Sequence, residues 1–208
     1  MYSDVVLPAA TWYEKADLSS TDMHPFIHPF NAAINPMWES KSDWQQFKSL
    51  AKTFSTMAKK YYPEPQYDLK TQPLGHDSKG EISQPLGEIR DWKKGEIDAI
   101  PGQTMPALSL IKRDYTQVYD KYIALGPNAR GKEGGLGFSY DVTTEYDELK
   151  DILGVYDRGV NAGCPKLDQD KRVVDAILHI SSTSNGHVAK KAWANAETVT
   201  GRSLSDIS

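Results

Sequence analysis

The run Tyr2-Ser3-Asp4-Val5-Val6-Leu7-Pro8 constrains this chain more than any other feature. It reads as the end of a buried strand: short, β-branched, and stopped by a proline that cannot continue a ladder. The residues that follow offer few strands to pair with it, and an unpaired buried strand leaves its backbone N–H and C=O groups without partners. A lone strand ahead of a largely helical chain is therefore expected of a piece of a larger fold. Composition agrees with a folding chain: 39% of the 208 residues are hydrophobic, and one core is expected at this length. Lys and Arg number 24 against 28 Asp and Glu, a formal net charge of −4, which suggests neither a nucleic-acid binder nor a disordered tail.

Apolar runs such as Val5 to Leu7 and Ala176 to Leu178 fall far short of the roughly 18 residues that a membrane helix needs. Met1 to Asp4 carry no basic region of a signal peptide, so a soluble chain with a cytoplasmic default is expected. Cys164 is the single cysteine. It excludes an internal disulfide and any self-contained Cys-rich zinc or iron–sulfur site, and a structural thiol is the plain reading.

Residues Thr11 to Trp38 contain Pro25, Pro29 and Pro36 and show no sustained period, which predicts a long loop. Trp12, Tyr13, Phe26, Phe30 and Trp38 within it favour an ordered, packed loop over disorder. Ser42 with Gln45 three residues later forms a capping box, and Trp44, Phe47, Leu50, Ala51, Phe54, Met57 and Ala58 follow a 3.6-residue stripe. A helix over Asp43 to Lys60 is predicted, with Trp44, Phe47, Leu50 and Phe54 buried, so Phe47→Ala should cost about 3 to 5 kcal/mol. Residues 61 to 104 carry five prolines and read as irregular with at most short strands. A second helix is predicted over Pro106 to Leu125, with Leu108, Ile111, Tyr115, Val118, Tyr119 and Tyr122 on one face. Three more follow, over Thr144 to Leu153 stopped by Gly154, Asp168 to Ile180, and Asn185 to Val199 stopped by Gly201.

Few residues point to chemistry without help. Gly131-Lys132-Glu133-Gly134-Gly135-Leu136-Gly137 fits neither GxGxxG nor GxxxxGK[ST] and follows a predicted helix instead of a strand, so it is set aside as a nucleotide cradle. His24 and His28 are four apart, the spacing of a helical zinc pair, but Pro25 and Pro29 push each preceding histidine into extended geometry. A metal site is not expected there, and packed loop histidines facing a ligand are the better reading. Glu14, Asp17 and Asp22 could pair for acid–base work, but nothing fixes their separation and solvated loop charges are commoner. His187 follows Asn185-Gly186 at a helix start, where capping accounts for the residues. No GxSxG elbow or Cys–His nucleophile is present.

The segment Asp4-Val5-Val6-Leu7-Pro8-Ala9-Ala10-Thr11-Trp12-Tyr13-Glu14-Lys15 resembles the D-V-V-L-P-A-x-T-x-x-E run of the molybdopterin oxidoreductases, which in that family leaves a sheet strand and approaches the cofactor. Ser20-Thr21-Asp22-Met23-His24-Pro25-Phe26-Ile27-His28-Pro29 and Trp38-Glu39-Ser40-Lys41-Ser42-Asp43-Trp44 are similar to one branch, the catalytic α subunits of membrane-bound respiratory nitrate reductases. The likeness continues through His76-Asp77-Ser78, Asp91-Trp92-Lys93-Lys94-Gly95-Glu96, Lys112-Arg113-Asp114-Tyr115 and Asn185-Gly186-His187-Val188-Ala189. It is most specific over the first 44 residues and thinnest from about Asn128 to Leu167.

The resemblance implies an internal fragment of the α/β molybdopterin oxidoreductase fold that is mainly α, with irregular loops and few short strands. Residues 1–40 would hold a strand end and an ordered cofactor-side loop, and 41–208 a helical region with long irregular connections. It implies a parent enzyme that reduces nitrate to nitrite with electrons from quinol, on the cytoplasmic side of the membrane. The electrons would pass through an iron–sulfur electron-transfer subunit and a membrane cytochrome subunit. The implied cofactors are molybdenum bis(molybdopterin guanine dinucleotide) and an iron–sulfur cluster, whose ligating segments in the family lie upstream, so the fragment alone should bind neither and be inactive. Thr11, Asp22, His24 and His28 become the candidate cofactor contacts, since hydroxyl, carboxylate and imidazole groups can hydrogen-bond pterin or guanine edges. Trp12 and Glu14 would support the loop. A helical interaction module whose aromatic surface binds a protein partner is the alternative. The two differ in whether the 11–38 side chains converge on a concavity or apolar residues form an exposed patch.

Overall fold

The computed structural model describes residues 2–21, 24–72, 91–101, 105–133, 139–201 and 203. His76, Asp77 and Ser78 and the Gly134–Gly137 part of the glycine loop lie outside them.

The expected strand at Tyr2–Pro8 does not form. Val5, Val6 and Leu7 are 75, 71 and 56% exposed, because among the described residues no neighbouring strand takes up their hydrogen bonds and side chains; pairing begins at Pro8 to Ala10, which bond to Lys41. Nor is 11–38 wholly a loop. After a 3-10 turn at Trp12–Glu14, β1 (Asp17–Thr21) pairs antiparallel with β2 (His24–Phe30). Pro25 and Pro29, two of the prolines that argued against regular structure, sit in a two-stranded ribbon, where each strand is an edge and a missing N–H costs little.

Helix α1 (Asp43–Tyr61) starts where the capping box predicts, Ser42 Oγ accepting from Gln45 N–H at 3.2 Å. Its buried face differs from the predicted one. Ala51, Ser55 and Ala58 face inward, while Phe47 is 60% and Leu50 51% exposed. The inward face lies against 115–122: Ser55 Oγ accepts from Tyr119 N–H at 2.8 Å and Trp44 stacks on Tyr122. Close approach of the two backbones there selects small side chains.

β3 (Gln66–Gln72) and β4 (Ala107–Arg113) form a seven-residue antiparallel ribbon, Leu69 opposite Leu110. β3 takes up residues 66–72 of the stretch expected to be irregular with at most short strands, and β4 replaces the first half of the helix expected from Pro106. The alternation Leu108, Leu110, Lys112 is a strand period hidden in a run that also matches a helical one. Only α2 (Val118–Tyr122) and a 3-10 turn before it remain helical.

The rest follows its caps closely. β5 (Lys132–Glu133) pairs with β6 (Tyr140–Asp141), then come α3 (Thr143–Leu153), α4 (Asp170–Ile180) and α5 (Gly186–Thr200). Gly154 and Gly201 end α3 and α5 at φ of 69° and 66°, values that favour glycine. Asn185 caps α5 by accepting from His187 N–H at 3.0 Å, which accounts for His187 without chemistry. The core lies here: Leu149, Leu153 and Ala176 pack with Leu125, Leu167 and Ile180, and Val142 and Val188 are fully enclosed. Buried Glu145 receives Lys191 Nζ at 2.7 Å on both oxygens, and Cys164 is buried as a thiol. Among the described residues, no helix is long and apolar enough to cross a membrane.

Candidate functional site

Glu14 organises the region that carries the candidate residues. Only 7% exposed, its carboxylate accepts from Thr11 N–H at 2.7 Å and from Met37 N–H at 3.0 Å. These two amides, Thr11 first, hold its carboxyl below the usual range, so it is an ionised brace, unsuited to exchanging a proton near neutral pH. Tyr13 C=O adds bonds from Ala33 and Ile34 N–H, and the 3-10 turn is thereby tied to the 31–37 segment. The expectation that Glu14 supports the loop is met in this geometry. Trp12 does so from the surface: it is 64% exposed and stacks on Phe30 at 5.4 Å.

The ribbon register sorts the histidines. Ser19 faces His28 and Asp17 faces Phe30, so His28, Phe30 and the stacked Trp12 share one face, and Leu18 with Pro29 occupies the other. His24 lies at the far end of the same strand, opposite Thr21 beyond a register shift. Extended backbone holds histidines four residues apart by about 13 Å, too far to share one ion. No cluster of three His, Cys, Asp or Glu side chains suited to a metal forms among the described residues. Thr11 is exposed at the cap of the 3-10 turn. Asp22 lies outside the described residues.

A concavity does exist, elsewhere. A cleft of about 150 Å³ opens between β1 and the N-terminal ends of α1 and α4, with Leu18, Trp44, Val173, Val174 and Ile177 on its walls. Lys15 stands at its side with Nζ 2.9 Å from Asp17 and 2.8 Å from Asp43. Hydrogen bonding to Lys15 lowers the Asp43 carboxyl and raises the ammonium in turn. Two buried polar atoms of cleft residues, Trp44 Nε1 and Asp170 Oδ1, have no hydrogen-bond partner. Neither Thr11 nor His28 lines this cleft. Sequence reasoning read Trp44 and Asp170 only as helix residues, and no periodicity links positions 126 residues apart. Of Glu14, Asp17 and Asp22, the first two are taken by backbone amides and by Lys15, so they form no acid–base pair.

Comparison with known proteins bears on both ends of the chain. Residues 131–208 match the nitrate reductase alpha chain, domain V, and residues 1–53 match the molybdopterin oxidoreductases. The first match takes in most of the stretch where the quoted motifs are thinnest. The nitrate reductase alpha chain of Bacillus subtilis is 51% identical, covering 100% of this chain and 17% of its own length. The respiratory nitrate reductase 1 alpha chain of Escherichia coli is 42% identical over 97% of this chain and 16% of its own. The perchlorate reductase subunit alpha of Dechloromonas aromatica is 62% identical over 52 residues, 25% of this chain and 6% of that subunit.

Proposed function

We propose, for a chain that belongs to the nitrate reductase alpha-chain family of molybdopterin oxidoreductases and spans about a sixth of its relatives' length, that it forms an internal part of a catalytic subunit reducing nitrate to nitrite. The observation that carries this reading is the identity of 51% across the whole chain to a nitrate reductase alpha chain. The family's name implies a molybdenum–pterin cofactor. We take it to be the bis(guanine dinucleotide) form, accompanied by an iron–sulfur cluster in the parent, with electrons from quinol arriving through an iron–sulfur subunit and a membrane cytochrome subunit. The parent would then lie on the cytoplasmic side of the membrane.

When bound, the molybdenum centre supplies the oxygen-atom transfer. The residues here suit the periphery of such a group and not its metal. His28 offers an imidazole on an exposed face that already stacks an indole on a phenyl ring, a surface fitted to a planar heteroaromatic with polar edges. Thr11, Asp22 and His24 are the other candidate contacts, and Glu14 fixes the turn from which Thr11 projects. The chain's own work is therefore to bind and orient.

The test is turnover by the full-length alpha chain with reduced viologen as donor. Nitrate reduction is expected, and His28→Ala should lower it by about 10- to 100-fold, as loss of a supporting contact to a metal cofactor does. Absence of nitrate turnover in a chain loaded with molybdenum would overturn the activity. An unchanged rate in the variant would remove His28 from the contacts. The exposed apolar stripe of α1 favours a second element in the reading: this segment also serves as an interaction surface.

A further inference from the structure

Helix α1 carries two seams. On the inner one, Trp44, Ala51, Ser55 and Ala58 lie against the 115–122 segment. About 100° around the helix, Phe47, Leu50, Phe54, Met57 and Tyr61 recur at alternating steps of three and four residues. They are 60, 51, 49, 48 and 57% exposed. This spacing is that of a helix–helix seam, in which each side chain enters a hole on a facing helix. A helix apolar on two sides belongs between two layers, and among the described residues one layer is present, which touches the outer seam where Tyr115 meets Phe54 edge-on at 5.9 Å.

We propose that the Phe47–Tyr61 seam packs against a helix of the same alpha polypeptide outside these 208 residues. This rests on the reading of the chain as part of a longer alpha subunit. Two observations choose that occupant over a second copy or another subunit. The relatives have about six times this length, so ample chain exists to supply the missing layer. The seam is also not alone: Tyr67, Leu69, Leu108 and Leu110 lie on one face of the β3–β4 ribbon by register and are 59 to 69% exposed. One two-fold contact between copies would have to cover both faces at once.

Hydroxyl-radical footprinting of the full-length alpha chain, with and without its partner subunits, decides the matter. Phe47, Phe54, Met57 and Tyr61 are expected to react at least about tenfold more slowly in the folded chain than in the same chain unfolded, in both preparations. Rates within about twofold of the unfolded chain would overturn the proposal. So would protection that needs the partner subunits, or protection that falls on dilution and so reports a second copy. Nitrate turnover is measured on the same preparation: a protected seam without turnover leaves this inference standing and removes the functional reading, and an exposed seam in an active enzyme does the reverse. A reading frame confined to these 208 residues would end both.

Discussion

Between α3, α4 and α5, Val142, Leu149 and Val188 are fully enclosed, while along α1 Phe47, Leu50 and Phe54, as large or larger, stand about half in water. Both regions are helical and amphipathic. Apolar content therefore does not decide which region closes; the supply of a second surface does. Residues 123–200 contain three helices and a folded-back segment, 155–167, whose main chain ties to the end of α2 through Leu125 N–H to Pro165 O at 3.0 Å and Leu167 N–H to Ile123 O at 2.7 Å. Residues 2–72 contain one long helix and three ribbon strands, with little to fold onto among the described residues. The two regions roughly coincide with the two family matches.

Four measurements press on that contrast. Leu149→Ala should remove about 2 to 5 kcal/mol of stability in chemical denaturation, as a large-to-small change at a closed site does; a loss under about 1 kcal/mol would mean the C-terminal region is not a packed core. Lys191→Met leaves the buried Glu145 carboxylate without its donor, and about 1 to 3 kcal/mol should be lost in the same assay. Ser42→Ala removes a buried cap from the open region and should cost about 0.5 to 2 kcal/mol. Phe47→Ala should cost less than about 1 kcal/mol in this chain, against the 3 to 5 expected of a buried phenylalanine; a larger loss would show that the seam is already covered.

A smaller signal is spectroscopic. Burial, first of all, pushes the Tyr146 and Tyr156 hydroxyls up to about 12. Their folded values lie above the unfolded value near 10, so the folded chain holds these protons longer and stability falls as pH rises from about 10 to 12. Tyrosinate absorbance should therefore show these two side chains, with Tyr122, whose hydroxyl burial also raises, ionising late and merging with the others once the chain is unfolded in urea. Their absence would again argue against a closed C-terminal region.

What the sequence made legible follows the same division. Caps are local, and Ser42, Gly154, Asn185 and Gly201 bounded α1, α3 and α5 within a residue or two. The inner face of α1 was not legible, because two stripes compete and the larger side chains are the more conspicuous; only the partner decides, and Tyr119 and Tyr122 are more than 60 residues away. The β3–β4 ribbon was hidden for the same reason, each strand's partner lying about 40 residues distant. In the site, the supporting role of Glu14 came with the family resemblance, since spacing alone read it as a solvated loop charge, while the proline-driven extension of the histidine strand was legible from its neighbours. The cleft at Trp44 and Asp170 was not, since long-range convergence leaves no mark in spacing.

The β3–β4 ribbon has a colloidal consequence. Each strand pairs only with the other among the described residues, so both outer edges present unsatisfied N–H and C=O groups to any extended segment that arrives. Lys112, opposite Tyr67 on the apolar face, and Lys70, opposite Ser109 on the other, set positive charge where a stacking ribbon would have to settle. That repulsion reaches about 10 Å at 0.1 M salt and about 3 Å at 1 M. Concentrated salt, a routine aid to crystallisation, should therefore drive this chain toward ribbon-to-ribbon aggregates, while dilute buffer keeps it dispersed.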